Sequence, residues 1–248
     1  MVAAGVKLRG TDQAKSKALL QLACKRQSAR LDGYACIGDF HDGAYECDHV
    51  SPLTKSGCNL DAEVMVVGQD WASADTLVGN GRPDPDRARR GYDRGSRTNK
   101  NLDRLLREHL GLDRADCYLT NMFPFVKPGK KNADIHPRDM KRCAREFTLE
   151  EVRIVAPRLV LCLGLKTFKG FRGAVGRPKP RNVDEAVDSP FDFEGSTVYC
   201  VAHVGTQGEN QRGRDQVAAD WQRIASSLRN APGPARVKRG KKKGRSEK

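Results

Sequence analysis

The chain has 248 residues and a formal net charge of +14, with 45 Lys and Arg against 31 Asp and Glu. That length supports one full-sized domain with a buried core, and the basic excess points to a polyanion, nucleic acid first, because clustered cations gain free energy by releasing counterions from phosphates. No stretch approaches the roughly 18 apolar residues of a membrane span and the start lacks a signal-peptide core, so we expect a soluble bacterial cytoplasmic, nucleoid-associated monomer.

Residues 1–59 read as a basic, irregular extension. It holds Cys24, Cys36, Cys47 and Cys58, with His41 and His49 nearby. No C-x-x-C pair occurs among them, so packing cysteines in reduced form are expected and no metal is assigned.

Between residues 60 and 229 the pattern changes to short apolar runs alternating with helical periodicity, as in a parallel sheet with crossover helices. The runs are EVMVVG from Glu63, DCYLTN from Asp116, RLVLCLG from Arg158 and TVYCVAH from Thr197. Leu102, Leu105, Leu106 and Leu110 predict a helix in the first gap. In the second gap Pro137 opens a helix whose apolar face runs through Met140, Cys143, Ala144, Phe147, Ile154 and Val155, with Glu151 as its one polar break. A last helix carries Val217, Trp221, Ile224 and Leu228. The fold class is α/β, a three-layer αβα domain around a mostly parallel four-stranded sheet. The structure of residues 72–97 is left open, and residues 230–248, NAPGPARVKRGKKKGRSEK, read as a disordered basic tail.

Ligands of an open parallel sheet bind at the carboxyl ends of its strands. The first run ends in Gly68-Gln69-Asp70-Trp71, the second in Thr120-Asn121, the third in Gly164 and the fourth in Ala202-His203-Val204-Gly205. An acid, an amide and an imidazole thus leave three strands towards one cleft. Taken singly each has a structural alternative: Asp70 a turn cap, Asn121 a loop amide, His203 a hydrogen-bonded, half-buried ring. No P-loop or G-x-G-x-x-G follows the first run, which counts against a nucleotide hydrolase.

Four segments resemble the uracil-DNA glycosylase superfamily. Gly68-Gln69-Asp70 is similar to the opening of its GQDPYH motif, and YLTNMFPFVKPG from Tyr118 to the strand and loop carrying the base-reading Asn. EEVRIVAPRLVLCLG from Glu150 is similar to its helix-to-strand segment, and AHVG from Ala202 takes the place of its HPS motif. The resemblance spans residues 63–212 and implies a monofunctional DNA N-glycosylase that flips a pyrimidine out of the stack, cuts its glycosidic bond and leaves an abasic site. It assigns Asp70 to water activation and His203 to donation towards the departing base. Gln69, Trp71, Ala72, Asn121 and Phe123 are the implied substrate contacts, with Trp71 and Phe123 candidates either for stacking or for the core. Ala72 stands where the motif has the aromatic that excludes C5 substituents, so uracil and a C5-modified pyrimidine such as glucosylated hydroxymethylcytosine both stay open. Phe125 replaces a cysteine of the iron-sulfur branch, so no cluster and no other cofactor is expected. Gln207, Arg212 and Arg214, in a loop read as either solvated or DNA-facing, and Arg97, in an arginine-rich stretch, complete the implied DNA contacts. A noncatalytic nucleic-acid binder on the same fold is the alternative.

Overall fold

A computed structural model describes residues 10–230 except Asn80; the expected basic tail lies outside the described residues apart from Asn230. In chain order the elements are α1 (Gly10–Ser28), β1 (Val64–Asp70), α2 (Ala74–Val78), α3 (Pro85–Arg90), α4 (Arg97–Leu105), β2 (Tyr118–Phe123), α5 (Pro137–Cys143), α6 (Leu149–Val155), β3 (Leu159–Leu163), α7 (Leu165–Ala174), α8 (Val183–Val187), β4 (Phe191–Phe193), β5 (Ser196–Val201), α9 (Thr206–Arg212) and α10 (Arg214–Asn230). A π-helical turn joins α5 to α6, and another extends α4 through Leu106–Leu110.

The sheet has five strands in the order β2-β1-β3-β5-β4, parallel except at β4. The extra strand is an antiparallel hairpin partner of β5, turning through Glu194 and Gly195, both at positive φ (48° and 86°) as a tight primed turn requires. Strand alternation splits the core into two layers. Met65, Val67, Val160, Cys162, Val198 and Cys200 face the helices α5, α6 and α7, whereas Val64, Val66, Leu119, Leu161 and Val201 face α4 and α10 through Leu102, Leu105, Val217 and Trp221.

Residues before position 60, expected to be irregular, carry α1, and Leu19, Leu22, Leu31, Cys36 and Val50 join the main core. A mean hydropathy that stays polar around these apolar positions hides them in sequence; burial against α6 is what orders the helix. The stretch left open at 72–97 contains α2 and α3, the latter capped by Asp84, whose carboxylate accepts from the backbone N–H of Asp86 and Arg87 at 3.0 Å, and ended by Gly91 at φ 77°. Among the described residues no helix is long and apolar enough to cross a membrane, and no group of three or more His, Cys, Asp or Glu is placed to hold a metal ion. Cys36 and Cys47 are buried, and burial pushes both thiols up.

Candidate active site

The parallel register sets Gly68 opposite Asn121 and Asp70 opposite Phe123, so the acid and the amide stand at the carboxyl ends of adjacent strands. Gly68 is required there: a Cβ on it would lie 2.5 Å from Asn121 Nδ2. Asn121 is buried, and Ser51 Oγ, itself fully buried, donates to its Oδ1 at 2.7 Å while accepting from Leu53 N–H at 3.2 Å. The hydroxyl proton is thereby committed to Oδ1, and the donor end of the amide, Nδ2, is turned along Gly68. Sequence reasoning missed Ser51; its one sequence signal is the Ser-Pro cap that opens the 3₁₀ turn Pro52–Ser56.

Asp70 lies mostly out of solvent. Burial raises its pKa, opposed by the Lys127 ammonium at 3.1 and 3.3 Å from its two oxygens, by the Gln69 amide donating at 3.0 Å, and by His203. Lys127, only 2 % exposed, is the second residue missed. It follows β2 in the run MFPFVKPG, a lone cation among apolar neighbours, and its backbone is held by a parallel bridge to Ser73 and by Ala74 N–H donating to its carbonyl at 2.9 Å. Gln69 therefore contacts the acid rather than open space.

His203 follows β5, with β3 between it and β1, a lateral offset of about 10 Å, and it is near enough to Asp70 for each charge to act on the other's pKa. Glycines make the room: a Cβ at Gly164 would come 3.2 Å from His203 Cβ, and one at Gly205 2.9 Å from the imidazole. Gly205 N–H donates to Nδ1 at 3.1 Å, which places the proton of the neutral ring on Nε2. The residue opens to solvent on one side, but the protein packed around the ring lowers its pKa, helped by the nearby Lys131 charge and opposed by Asp70. The neutral, Nε2-protonated imidazole is the favoured form. Asn101 Nδ2 donates to Val204 O at 2.9 Å and so ties this loop to α4.

The remaining expected site residues divide. Trp71 is half-buried, its indole N–H donating to Gly91 O at 2.7 Å, with the Arg87 guanidinium 4.5 Å over its ring and Tyr45 edge-on at 5.4 Å. Ala72 is buried beside Ile37, Tyr45, Leu77 and Val126. Phe123 is fully buried, with Tyr34 and Phe125 against its ring at 4.7 and 5.8 Å, so it is a core side chain and offers no face to a base. Arg212 is also a correction, because its guanidinium is occupied by Asp220 at 2.9 and 3.0 Å and by Asp184. The expected loop here is the short helix α9, which leaves Gln207 exposed, as is Arg214 at the head of α10. Arg97, exposed at the start of α4, donates to Thr206 Oγ1 at 3.3 Å and so reaches the His203 loop.

The family model of the uracil DNA glycosylase superfamily matches residues 55–224, spanning every strand and all three polar strand ends. The chain belongs to that superfamily. Its function is of the DNA glycosylase type, and its fold is one that binds DNA. No curated protein matches the chain closely enough to name a relative.

Proposed function

We propose that this member hydrolyses the N-glycosidic bond of a flipped-out pyrimidine in DNA, with Asp70 activating water. The observation that carries the reading is that Asp70, Asn121 and His203 all leave the carboxyl ends of one parallel sheet, Asp70 and Asn121 on adjacent strands and His203 after β5, with β3 between. Asp70, kept anionic by Lys127 and Gln69, orients and deprotonates a water towards the sugar carbon and opposes the positive charge that grows on the ring as the bond breaks. His203 donates Nε2–H to the departing pyrimidine oxygen without first becoming charged. Asn121 meets the base edge, its orientation held by Ser51. Arg97, Gln207 and Arg214 are exposed, and on this reading they contact the backbone of the duplex.

The pyrimidine is either uracil, in base excision repair, or a C5-modified base such as glucosylated hydroxymethylcytosine, in defence against phage. Ala72, which puts no aromatic bulk at the position where relatives exclude C5 substituents, is compatible with either. The test is alkali-sensitive strand breakage of uracil-containing DNA and of phage DNA bearing glucosylated hydroxymethylcytosine, wild type against Asp70→Asn. Breaks in one DNA that vanish in the variant name the substrate; intact strands in both, with DNA still bound, leave a noncatalytic binder.

A further inference from the structure

Away from the strand-end cleft, an open groove of about 510 Å³ runs beside the other end of β2. Its cations are Lys55, Arg89, Arg90, Arg94, Arg107 and Arg114. They come from separate parts of the chain: the 3₁₀ turn Pro52–Ser56, α3, the link into α4, the π turn after α4, and the approach to β2. Three carboxylates answer them, Asp86, Asp103 and Asp113, which leaves an excess of three positive charges.

The groove divides into a buried floor and an exposed wall. Arg114 is buried, clamped to Asp103 and stacked 4.2 Å over Tyr92, and Lys55 Nζ donates to Ala88 O at 2.7 Å. Arg94 is exposed, and Arg89 and Arg107 are each 69 % exposed with partners that are themselves open to water, where such pairs contribute little and yield readily to a phosphate. An arginine fork is suited to phosphate oxygens, and Tyr92 adds an aromatic surface.

The groove connects to the candidate active site through α3. Arg87 of that helix stacks on Trp71, next to Asp70, while Arg89 and Arg90 face the groove. From Asn121 back to Tyr118, β2 covers about 10 Å, the rise of about three nucleotides of one strand. We infer that this groove is a second phosphate track, which holds the DNA backbone about three nucleotides or more to one side of the strand-end cleft. The inference builds on the DNA-binding fold of the superfamily and not on the base-release chemistry.

The test uses the full chain and an unmodified duplex of about 24 base pairs, with Kd followed by fluorescence anisotropy across a salt series, in wild type and in Arg94→Ala/Arg107→Ala. The expected result is a slope of log Kd against log salt that is shallower by about two and an affinity at low salt down by about tenfold, with an unchanged melting temperature. A control, Arg142→Ala/Arg181→Ala, removes the same charge from exposed sites outside the groove and should change the slope by less than one. An unchanged slope in the groove variant, or an equal change in the control, overturns the track. Base release from a short substrate, and its loss in Asp70→Asn, report on the catalytic reading alone, so the two can fail separately.

Discussion

Two carboxylates, at the end of β1 and beneath β2, meet burial in opposite ways. Asp70 has an ammonium within 3.1 Å and keeps one side towards the cleft. Glu151 of α6 is completely buried, and its partners among the described residues are hydroxyls: Tyr118 at 2.9 Å and Thr120 at 3.0 Å. Burial pushes its pKa up to about 8. A hydroxyl can accept from a protonated acid and donate to an ionised one, so it tolerates either state, whereas a lysine favours the anion alone. One acid is thus held charged for chemistry at a strand end, and the other pins the same sheet to the helix layer and stays mostly protonated at neutral pH. Both shifts run upwards through desolvation; the neighbour decides the use.

The strongest way to break that comparison is Asp70→Asn, expected to lower base release by at least about 10³-fold while DNA affinity stays within about twofold. Equal loss of both would mean that the residue supports the fold. His203→Ala should cost about 10²-fold in single-turnover rate through the lost Nε2–H donor, with wild-type melting; a rate within a factor of about three would remove it from the mechanism.

Glu151 makes a prediction about stability. With its pKa raised, the stability it confers is fully present below its ordinary value of 4.5 and is lost as pH rises through about 8. Urea titrations of wild type should therefore show a decline between those limits, and Glu151→Gln should be flatter by a few kcal/mol across the window. Parallel curves would show that the carboxyl titrates normally.

Lys127→Met removes the cation opposing desolvation at Asp70, so the acidic limb of the pH–rate profile should move to higher pH, with the plateau nearly kept. A uniform loss at all pH values would instead assign Lys127 to substrate contact. The smallest effect belongs to Ser51→Ala: about fivefold lower discrimination between uracil and a cytosine-type base, as the Asn121 amide becomes free to turn over. Unchanged selectivity would leave Ser51 as a cap for its own turn.

Sequence by itself determined the four parallel strands, the crossover helices and the three polar strand ends, because strand alternation and helix periodicity are local signals and the carboxyl ends of parallel strands are one place. It also marked Glu151 as anomalous without showing why. Only the tertiary structure decided what surrounds those groups. Ser51 and Lys127 reach Asn121 and Asp70 across 70 and 57 positions, and nothing local distinguishes a buried lysine from a solvated one. Phe123 and Arg212 went the other way, one sealed by Tyr34 and the other bound by Asp220, because packing and ion pairing between distant segments consume side chains that a motif alone leaves free. The basic groove is of the same kind: five short stretches, each an ordinary solvated charge in sequence, become one field only where the fold brings them side by side.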